Sequence, residues 1–478
     1  MSSYNKTKRR VAYCSFITVY ALFILSHKAY FQMPRRGVKS CALVVANPSQ
    51  QETIKLCAMI SPQPFKTAPS IDEPQHQIRQ GPHQSKQAAT RAPDAACLGR
   101  ISNDAPDGSK VISTPRKNVA PKYSAQRDFI LSDLSVPFDE SVTLTTQATH
   151  EFLQHVPVLC SRWQGPISVA VYAPGTDYAV ALDKIAYLRH CGDPCVSANV
   201  SWHVAFDKSL APPRAVKVNT SSSAQFLRSW NGSCSSDVMG REYAQFRKAH
   251  HIPYPINVLR NLARRRARTR YILASDIELY PSANVIPRFL NLVAERRRRN
   301  ATVARTPQVF VLPVFEVGAK QRPPLTKRVL VEMMRNKTAV FFHKWICDQC
   351  HRFPKREEWV NYVPADENQL DIFTTTKHDR SKSFWEPIYI GTNDDPLYTE
   401  AFNWEGKQDK MSQVYELCLR GYDFHILDNA FLVHAPGIKY VNASDGKSRT
   451  PFMGKNKVRY ALIMKYLRSR YPALANDC

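Results

Sequence analysis

The sequence predicts an α/β fold, in which helices cover a mostly parallel sheet, on an N-terminal membrane anchor and a long stem. Three observations lead to this prediction: an apolar run near the N-terminus, a Pro- and Gln-rich stretch behind it, and alternating strand and helix patterns from about Leu153 onwards. With 478 residues the chain is long enough for two or three domains and a large core.

The N-terminal apolar run extends from Val11 to Leu25 and follows a cluster of lysines and arginines. Extended to Phe31, it approaches the length of about 20 residues that a membrane-spanning helix needs. The preceding charges favour a cytoplasmic N-terminus. No small-x-small cleavage site follows the run, so a signal anchor is favoured over a cleaved signal peptide. We predict a cytoplasmic tail over residues 1–10, a transmembrane helix over 11–31, and a type II protein with a lumenal body.

Residues 32–150 are rich in Pro, Gln, Ser and Ala, which predicts a poorly ordered stem below a folded domain over 151–478. Two counts agree with an oxidising lumen. Six Asn-x-Ser/Thr sequons follow the anchor, and eleven of the twelve cysteines lie after it. Because eleven is odd, one thiol stays free or joins two chains, and a disulfide-linked or non-covalent dimer is an open alternative.

The chain carries 66 Lys and Arg against 40 Asp and Glu, a formal net charge of +26 that favours anionic partners without choosing among them. An arginine-rich stretch runs from Arg260 to Arg270. It has no interleaved stacking aromatics, and a lumenal domain does not meet DNA, so we expect no nucleic-acid partner. Most of these arginines are predicted to form a solvated helix face.

Strand and helix patterns alternate through the first half of the folded domain. Ile167–Gly175 has the pattern of a buried strand with a Pro-Gly stop, Asp177–His190 that of an amphipathic helix, and Val200–Phe206 that of a second strand. Pro255–Arg268 predicts a helix that leads directly into a third strand beginning at Arg270. In sheets built this way, ligands bind beyond the carboxyl ends of the strands.

The second half continues with less regular spacing. Residues 340–364 form a long irregular section rich in Cys, His and Trp. The other expected elements are helices over 285–297, 407–419 and 455–470, and strands over 309–317, 387–391, 423–427 and 430–435.

The third strand of the first half ends in two acids one residue apart, Asp276 and Glu278. Alternate side chains of an extended strand share a face, so both carboxylates can point to one place at the strand end. Hard oxygen ligands of this kind suit Mn²⁺ or Mg²⁺, with substrate phosphates filling the remaining positions. The alternative is a strand end whose two acids are merely solvated.

Four further residues are candidates for the same site. Asn257, Arg260 and Asn261 lie near the start of the helix that feeds the acid pair, where a guanidinium could reach a diphosphate held at the metal. His434 ends a strand before a turn. A histidine there is most often a satisfied polar group, and it becomes a candidate ligand only if it lies beside the acid pair.

Two acids, Glu405 and Asp409, stand next to a Gly turn before a predicted helix. A carboxylate in this position can act as a general base near a sugar, or it can simply cap the helix. The sequence leaves both roles open.

Two histidines and two cysteines stand close together in the irregular section: His343, Cys347, Cys350 and His351. Their spacing would indicate a zinc site in a cytosolic protein. In an oxidising compartment disulfide pairing competes with zinc, and the sequence does not decide between them.

Five blocks carry a resemblance to a known family: Trp163–Tyr172, Tyr254–Ala263, Ser275–Ser282, Cys347–His351, and Gly421–Phe424 with Phe431–His434. In order, and from about Leu153 to the C-terminus, they resemble the LARGE-type β-1,4-glucuronyltransferases of glycosyltransferase family 49. The resemblance implies a GT-A (Rossmann-like) fold, a type II Golgi membrane protein, a UDP-sugar donor and Mn²⁺.

The resemblance also implies roles for individual residues. The family's Asp-x-Asp motif falls on Asp276 and Glu278, and its metal-ligating histidine falls on His434. Glu278 departs from the usual Asp, which lengthens this ligand by one methylene and keeps the oxygen chemistry. The family's aromatic-rich block falls on Phe402–Met411, but Thr399-Glu-Ala lacks the acidic-basic pair often found just upstream.

The expected reaction is inverting transfer of a sugar, glucuronic acid in β-1,4 linkage, from a UDP-sugar to a glycan acceptor on a glycoprotein. A carboxylate, Glu405 or Asp409, would deprotonate the acceptor hydroxyl as it attacks the anomeric carbon. Two alternatives remain: transfer of N-acetylglucosamine or xylose by the same fold, and a non-catalytic glycan-binding protein.

Overall fold

The structure is a computed structural model that describes residues 122–212, 220–235, 237–299, 306–364, 366–441 and 443–478. These residues belong to one structural unit, which spans residues 108–478. The expected tail, the anchor over 11–31 and most of the expected stem lie outside the described residues. Within the described part of the chain, no helix combines the length and the apolar character that a membrane span requires.

Thirteen strands and eleven α-helices are present in the described residues. The strands are β1 (Tyr123–Ile130), β2 (Val142–Ala148), β3 (Ile167–Tyr172), β4 (Val200–Asp207), β5 (Tyr271–Ala274), β6 (Leu279–Pro281), β7 (Gln308–Val311), β8 (Val314–Val317), β9 (Ala339–Phe341), β10 (Ile372–Thr376), β11 (Tyr389–Thr392), β12 (Asp423–Leu427) and β13 (Leu432–His434). The helices are α1 (Val156–Trp163), α2 (Asp177–His190), α3 (Pro194–Asn199), α4 (Thr220–Ser229), α5 (Phe246–Ala249), α6 (Ile256–Arg266), α7 (Val285–Arg299), α8 (Lys327–Arg335), α9 (Arg356–Asn361), α10 (Met411–Leu419) and α11 (Ala443–Arg470).

The main sheet has nine strands in the order β1-β4-β3-β2-β5-β11-β7-β12-β10. Its run β4-β3-β2-β5 is parallel, whereas β1, β11 and β10 pair antiparallel with their neighbours. From β2 the chain builds outward through β3 and β4, and it then returns to place β5 on the other side of β2. The carboxyl ends of β2 and β5 are therefore a topological switch point, and open α/β sheets bind ligands in the crevice beyond such a point. The predicted α/β class is confirmed.

Strands β1 and β2 correct the predicted stem, because residues 123–148 belong to the main sheet. Strand β2 reads Val-Thr-Leu-Thr-Thr-Gln-Ala, and all seven residues are buried. Its threonines make the sequence look polar, yet their β-branched side chains suit a strand that is covered on both faces. The folded domain therefore begins before residue 151, and one of the two inner strands of its parallel run was missed from the sequence.

The strand expected over residues 309–317 is in fact two strands in different sheets. β7 belongs to the main sheet and β8 to a second sheet of order β6-β13-β8-β9. Pro313 lies between them, and its lack of an N–H group interrupts the ladder. In the second sheet β13 pairs antiparallel with β6, and the register places His434 opposite Leu279. This pairing brings His434 next to Glu278.

Helix α6 is buried on two sides, so Arg264 departs from the solvated face predicted for most of these arginines, whereas Arg265, Arg268 and Arg270 are exposed as predicted. Leu259 and Leu262 pack against β3 in one apolar cluster. Arg260 and Arg264, one turn apart, point to the chain that precedes α10, and both are buried. Arg265 does keep 57% of its side chain exposed, as expected for a solvated position.

The eight cysteines of the described residues form four disulfides: Cys160–Cys195, Cys191–Cys234, Cys347–Cys350 and Cys418–Cys478. The expectation that these cysteines pair is confirmed. The last of the four ties the C-terminal residue to α10, so the end of the chain is fixed to the helix that follows the candidate site. The remaining cysteines lie outside the described residues.

Candidate active site

The candidate site lies in the turn that follows β5 at its carboxyl end. Asp276 and Glu278 both lie in this turn, where the Leu279 N–H donates to the Asp276 carbonyl oxygen over 3.0 Å. The expectation that the two carboxylates share one face of an extended strand is therefore wrong. Asp276 is directed towards β2 and α6, whereas Glu278 is directed towards β13.

Asp276 is held by one amide and two cations. Its Oδ1 accepts hydrogen bonds from Gln147 Nε2, at the end of β2, over 2.8 Å and from Arg260 Nη2 over 2.9 Å. Its Oδ2 accepts one from Lys410 Nζ over 2.9 Å. Burial alone would raise the pKa of Asp276, but the charges of Lys410 and Arg260 hold it well below its usual range. Because 34% of the side chain is exposed, this ionised carboxylate is open to a ligand.

Glu278 and His434 form a second pair, with 3.7 Å between Oε1 and Nε2. His434 Nδ1 lies 2.7 Å from the Ala435 carbonyl oxygen, so Nδ1 carries the proton and Nε2 presents a lone pair. Burial lowers the pKa of His434, and the charge of Lys439 lowers it further, which keeps the imidazole neutral. A lone pair and a carboxylate thus face each other.

These donors fit a divalent cation in type, since two carboxylates and a neutral imidazole are ligands that Mn²⁺ accepts. A cation between Glu278 and His434 would satisfy the two electron-rich atoms that now face each other. The arrangement of these donors does not complete a metal site. Among the described residues, no three His, Cys, Asp or Glu side chains lie together so that they could hold one metal ion. The third expected ligand, Asp276, also pairs with Arg260 and Lys410, so it would share its carboxylate between these cations and a metal.

The two asparagines predicted to contact the donor have another role. Asn257 Nδ2 donates to the carbonyl oxygens of Thr399 and Asp409, and Asn261 Nδ2 donates to the Tyr398 carbonyl oxygen and to Glu400. Both side chains are buried, and neither N–H group is left for a ligand. They fix the segment 398–409 against α6.

Arg260 joins two carboxylates of the site. Its Nη2 contacts Asp276, and its Nη1 pairs with Asp409 and donates to Asn257 Oδ1 over 2.9 Å. Only 5% of its side chain is exposed. Burial would lower the pKa of Arg260, but the charges of Asp276 and Asp409 raise it. The guanidinium is therefore a fixed positive charge beside the acid pair.

The two carboxylates predicted as alternative general bases are both engaged. Glu405 accepts from Arg247 Nη1 over 3.0 Å and from the Tyr254 N–H over 3.0 Å, and it contacts neither Asp276 nor Glu278. Asp409 is closer to the site, but its carboxylate is paired with Arg260. Neither group is free to accept a proton without breaking an ion pair.

Glu386 is a site residue that the sequence analysis missed. Its backbone N–H donates to the Cys350 carbonyl oxygen over 2.8 Å, just before β11. None of the hydrogen bonds and ion pairs between described residues involves its carboxyl group. Burial raises the pKa of Glu386 to about 7, opposed by the nearby charge of Lys410 and reinforced by that of Asp409. A single Glu between Trp385 and a proline belongs to no motif or periodic pattern. Glu386 can therefore be recognised as a site residue only from its neighbours in the folded protein.

The zinc site considered at residues 343–351 is not present, because its two cysteines form the disulfide Cys347–Cys350. Its two histidines pack together, with 5.2 Å between the ring centroids of His343 and His351. Burial lowers the pKa of His343 to about 3 and lowers that of His351 as well. Both imidazoles are therefore neutral at physiological pH.

The same two imidazoles border the candidate site. Phe342 lies between them and His434, with ring centroids 3.8 Å from His343, 4.7 Å from His351 and 5.7 Å from His434. The disulfide closes the short loop between them. Phe342, His343 and His351 therefore form an uncharged wall beside His434, a role that their spacing did not indicate.

We expect the purified protein to contain no zinc and to show no free thiol among the cysteines from Cys160 to Cys478. Metal analysis by mass spectrometry measures the zinc content. Thiol titration under denaturing, non-reducing conditions counts the free thiols, and peptide mapping detects the Cys347–Cys350 bridge. One equivalent of zinc released together with two new thiols would contradict the disulfide.

Comparisons with known proteins point to one family. A sequence model of the family described as glycosyl-transferase for dystroglycan matches residues 141–472. The chain is 28% identical to beta-1,4-glucuronyltransferase 1 of Danio rerio over 373 residues, which cover 75% of this chain and 82% of that protein. It is 27% identical to the Homo sapiens protein of the same name over 350 residues, 70% of this chain and 77% of that protein.

A more distant relative is xylosyl- and glucuronyltransferase LARGE1 of Homo sapiens. It is 23% identical over 296 residues, which cover 62% of this chain and 31% of that protein. The family match extends from the start of β2 to the end of α11, so it includes both sides of the switch-point crevice and β13. The resemblance carried by the five sequence blocks is confirmed. The chain is a glycosyltransferase and belongs to the family described as glycosyl-transferase for dystroglycan.

Proposed function

We propose that the protein is an inverting, metal-dependent glycosyltransferase of GT-A type that transfers glucuronic acid, in β-1,4 linkage, from UDP-glucuronate to a hydroxyl group of a glycan. The observation that carries this proposal is the switch-point crevice, where ionised Asp276 lies beside the facing pair of Glu278 and His434. Glucuronyl transfer is favoured over N-acetylglucosamine or xylose because the names of the three relatives share it.

The metal part of the proposal assigns Mn²⁺ or Mg²⁺ to Glu278 and His434, with Asp276 as the further carboxylate. When bound, the cation supplies Lewis acidity towards the diphosphate of the leaving UDP. Arg260 contributes a fixed positive charge on the other side of Asp276. Arg260 and the cation would together hold the diphosphate, and this would orient the donor with its anomeric carbon towards the open side of the crevice.

The proton of the acceptor hydroxyl requires a base, and we assign this role to Glu386 in place of Glu405 or Asp409. Its carboxyl is unpaired among the described residues, whereas the other two are held by arginines. In the proposed step the acceptor oxygen forms a bond to the anomeric carbon while the bond to UDP breaks on the opposite face. Glu386 takes the hydroxyl proton, and the configuration inverts.

The proposed location is the Golgi membrane, with an N-terminal anchor and the catalytic domain in the lumen. Four disulfides among the described residues support an oxidising compartment. The sequon asparagines Asn231 and Asn336 are exposed, as N-glycosylation requires.

A donor panel tests the proposed function. The purified protein is incubated with UDP-glucuronate, UDP-N-acetylglucosamine or UDP-xylose and a panel of glycan acceptors, with Mn²⁺ or with a chelator, and UDP release is measured. We expect acceptor-dependent release from UDP-glucuronate that the chelator abolishes. Release from UDP-N-acetylglucosamine or UDP-xylose alone would overturn the assigned sugar. Binding of a glycan without turnover of any donor would favour the non-catalytic alternative.

A further inference from the structure

We propose that Lys410 binds the carboxylate of the donor sugar, and that this ammonium group makes the site select a uronate over a neutral hexose. The inference rests on the proposed function and adds a specificity-determining residue to it. Lys410 immediately precedes α10, and 15% of its side chain is exposed. It is one of two cations that contact Asp276.

The two cations differ in how firmly they are held. Arg260 has partners at both terminal nitrogens, and turning it towards a ligand would leave Asp409 without its cation. Lys410 makes a single hydrogen bond within the described residues, from Nζ to Asp276 Oδ2. An ammonium group has three donors, so at least two of them are free for another anion. Its flexible stem can turn between partners, which a guanidinium locked at both ends cannot do.

Charge balance indicates which anion Lys410 would take. Burial alone would lower the pKa of Lys410, but the charges of Asp276, Glu386 and Asp409 raise it, and that of Arg260 lowers it, so three acids and one further cation lie near its ammonium group. A uronate adds one more carboxylate to this group of acids, and burying it without a cation is strongly unfavourable. Of the two cations that contact Asp276, Lys410 is the one with donors to spare, so it is the one that can turn to the sugar carboxylate.

The selectivity follows from this assignment. A donor such as UDP-glucose has a hydroxymethyl group where UDP-glucuronate has its carboxylate. That group gives Lys410 no charge to pair with. A site built around a charged partner discriminates strongly against an analogue that lacks it, because its own charge is then left without that partner.

The test compares Lys410→Met, which keeps the length of the stem and removes the charge, with Lys410→Arg, which keeps the charge. For Lys410→Met we expect the ratio of kcat/KM with UDP-glucuronate to kcat/KM with UDP-glucose to fall by about 30-fold or more, because any loss that passes through Asp276 affects both donors alike. Lys410→Arg should keep the preference for the uronate. Lys355→Met, at an exposed lysine paired with Glu358, is the control that should change neither value.

A binding measurement gives a readout that does not depend on turnover. Calorimetry with UDP and with UDP-glucuronate, in the presence of Mn²⁺, should show that Lys410→Met loses much more affinity for UDP-glucuronate than for UDP. If this variant does not fold, as judged by its melting temperature, Lys410→Gln replaces it. Equal losses for both donors, or an unchanged preference for UDP-glucuronate, would overturn the inference. Failure of the wild-type protein to use any UDP-sugar is a separate result, and it would overturn the proposed function.

Discussion

The substitution Asp276→Asn is expected to lower kcat/KM for sugar transfer by about 10²–10³-fold. The amide keeps the shape of the side chain and removes its charge, so that Arg260 and Lys410 lose their shared anion and a bound cation loses a carboxylate. We expect Mn²⁺ affinity, measured by calorimetry in the absence of donor, to weaken by about 10–100-fold. Initial rates with UDP-glucuronate measure the catalytic loss.

Asp133→Asn is the matched control. Asp133 also pairs with an arginine, Arg189, but it is 59% exposed and lies on the strand β1 side of the sheet. An exposed pair contributes little, so we expect rates within about threefold of the wild type. Activity of Asp276→Asn within tenfold of the wild type, with Mn²⁺ affinity retained, would exclude Asp276 from both proposed roles.

The pKa of Asp276 adds a pH dependence to the stability of the protein. Because its pKa in the folded state is below the usual value, ionised Asp276 stabilises the fold above the ordinary pKa of aspartate, about 4. That contribution is lost as pH falls through the lowered pKa. The melting temperature of Asp276→Asn should therefore be below that of the wild type at neutral pH, and the two values should converge in acid.

The substitution Glu386→Gln is expected to lower kcat by about 10²–10⁴-fold, because the amide cannot accept the acceptor proton. The wild-type protein should show a rate that rises with pH up to about 7 and then levels, as Glu386 loses its own proton. This rise should be absent from the residual activity of Glu386→Gln. Initial rates at saturating donor and acceptor, between pH 5 and 9, measure both effects.

Glu405→Gln distinguishes the two assignments of the base. This substitution weakens the contact with Arg247 and should lower the melting temperature, but we expect kcat within about tenfold of the wild type because Glu405 contacts neither member of the acid pair. The reverse result, with Glu405→Gln inactive and Glu386→Gln active, would restore Glu405 as the base.

Local patterns determined much of the fold. Helix α2 has the bounds that its apolar spacing predicted, and β12 coincides with the predicted strand over residues 423–427. The same patterns failed at β2, where buried threonines mimic a polar loop, and at Pro313, which divides an apolar run between two sheets. The spacing of apolar residues predicts which face of a helix or strand is buried, but it does not predict which other element packs against that face.

The sequence by itself determined the family, through its five blocks, and it singled out Asp276, Glu278 and His434 as candidate site residues. Only the tertiary structure decided which side chains meet there. Lys410 contacts Asp276 across 134 residues of chain, and the register of β13 on β6 places His434 beside Glu278. The tertiary structure also showed that Asn257, Asn261 and Glu405 are engaged within the protein, and that the Glu386 carboxyl has no hydrogen-bond or ion-pair partner among the described residues. Strand order sets these encounters, and it depends on contacts between distant segments that no local spacing encodes.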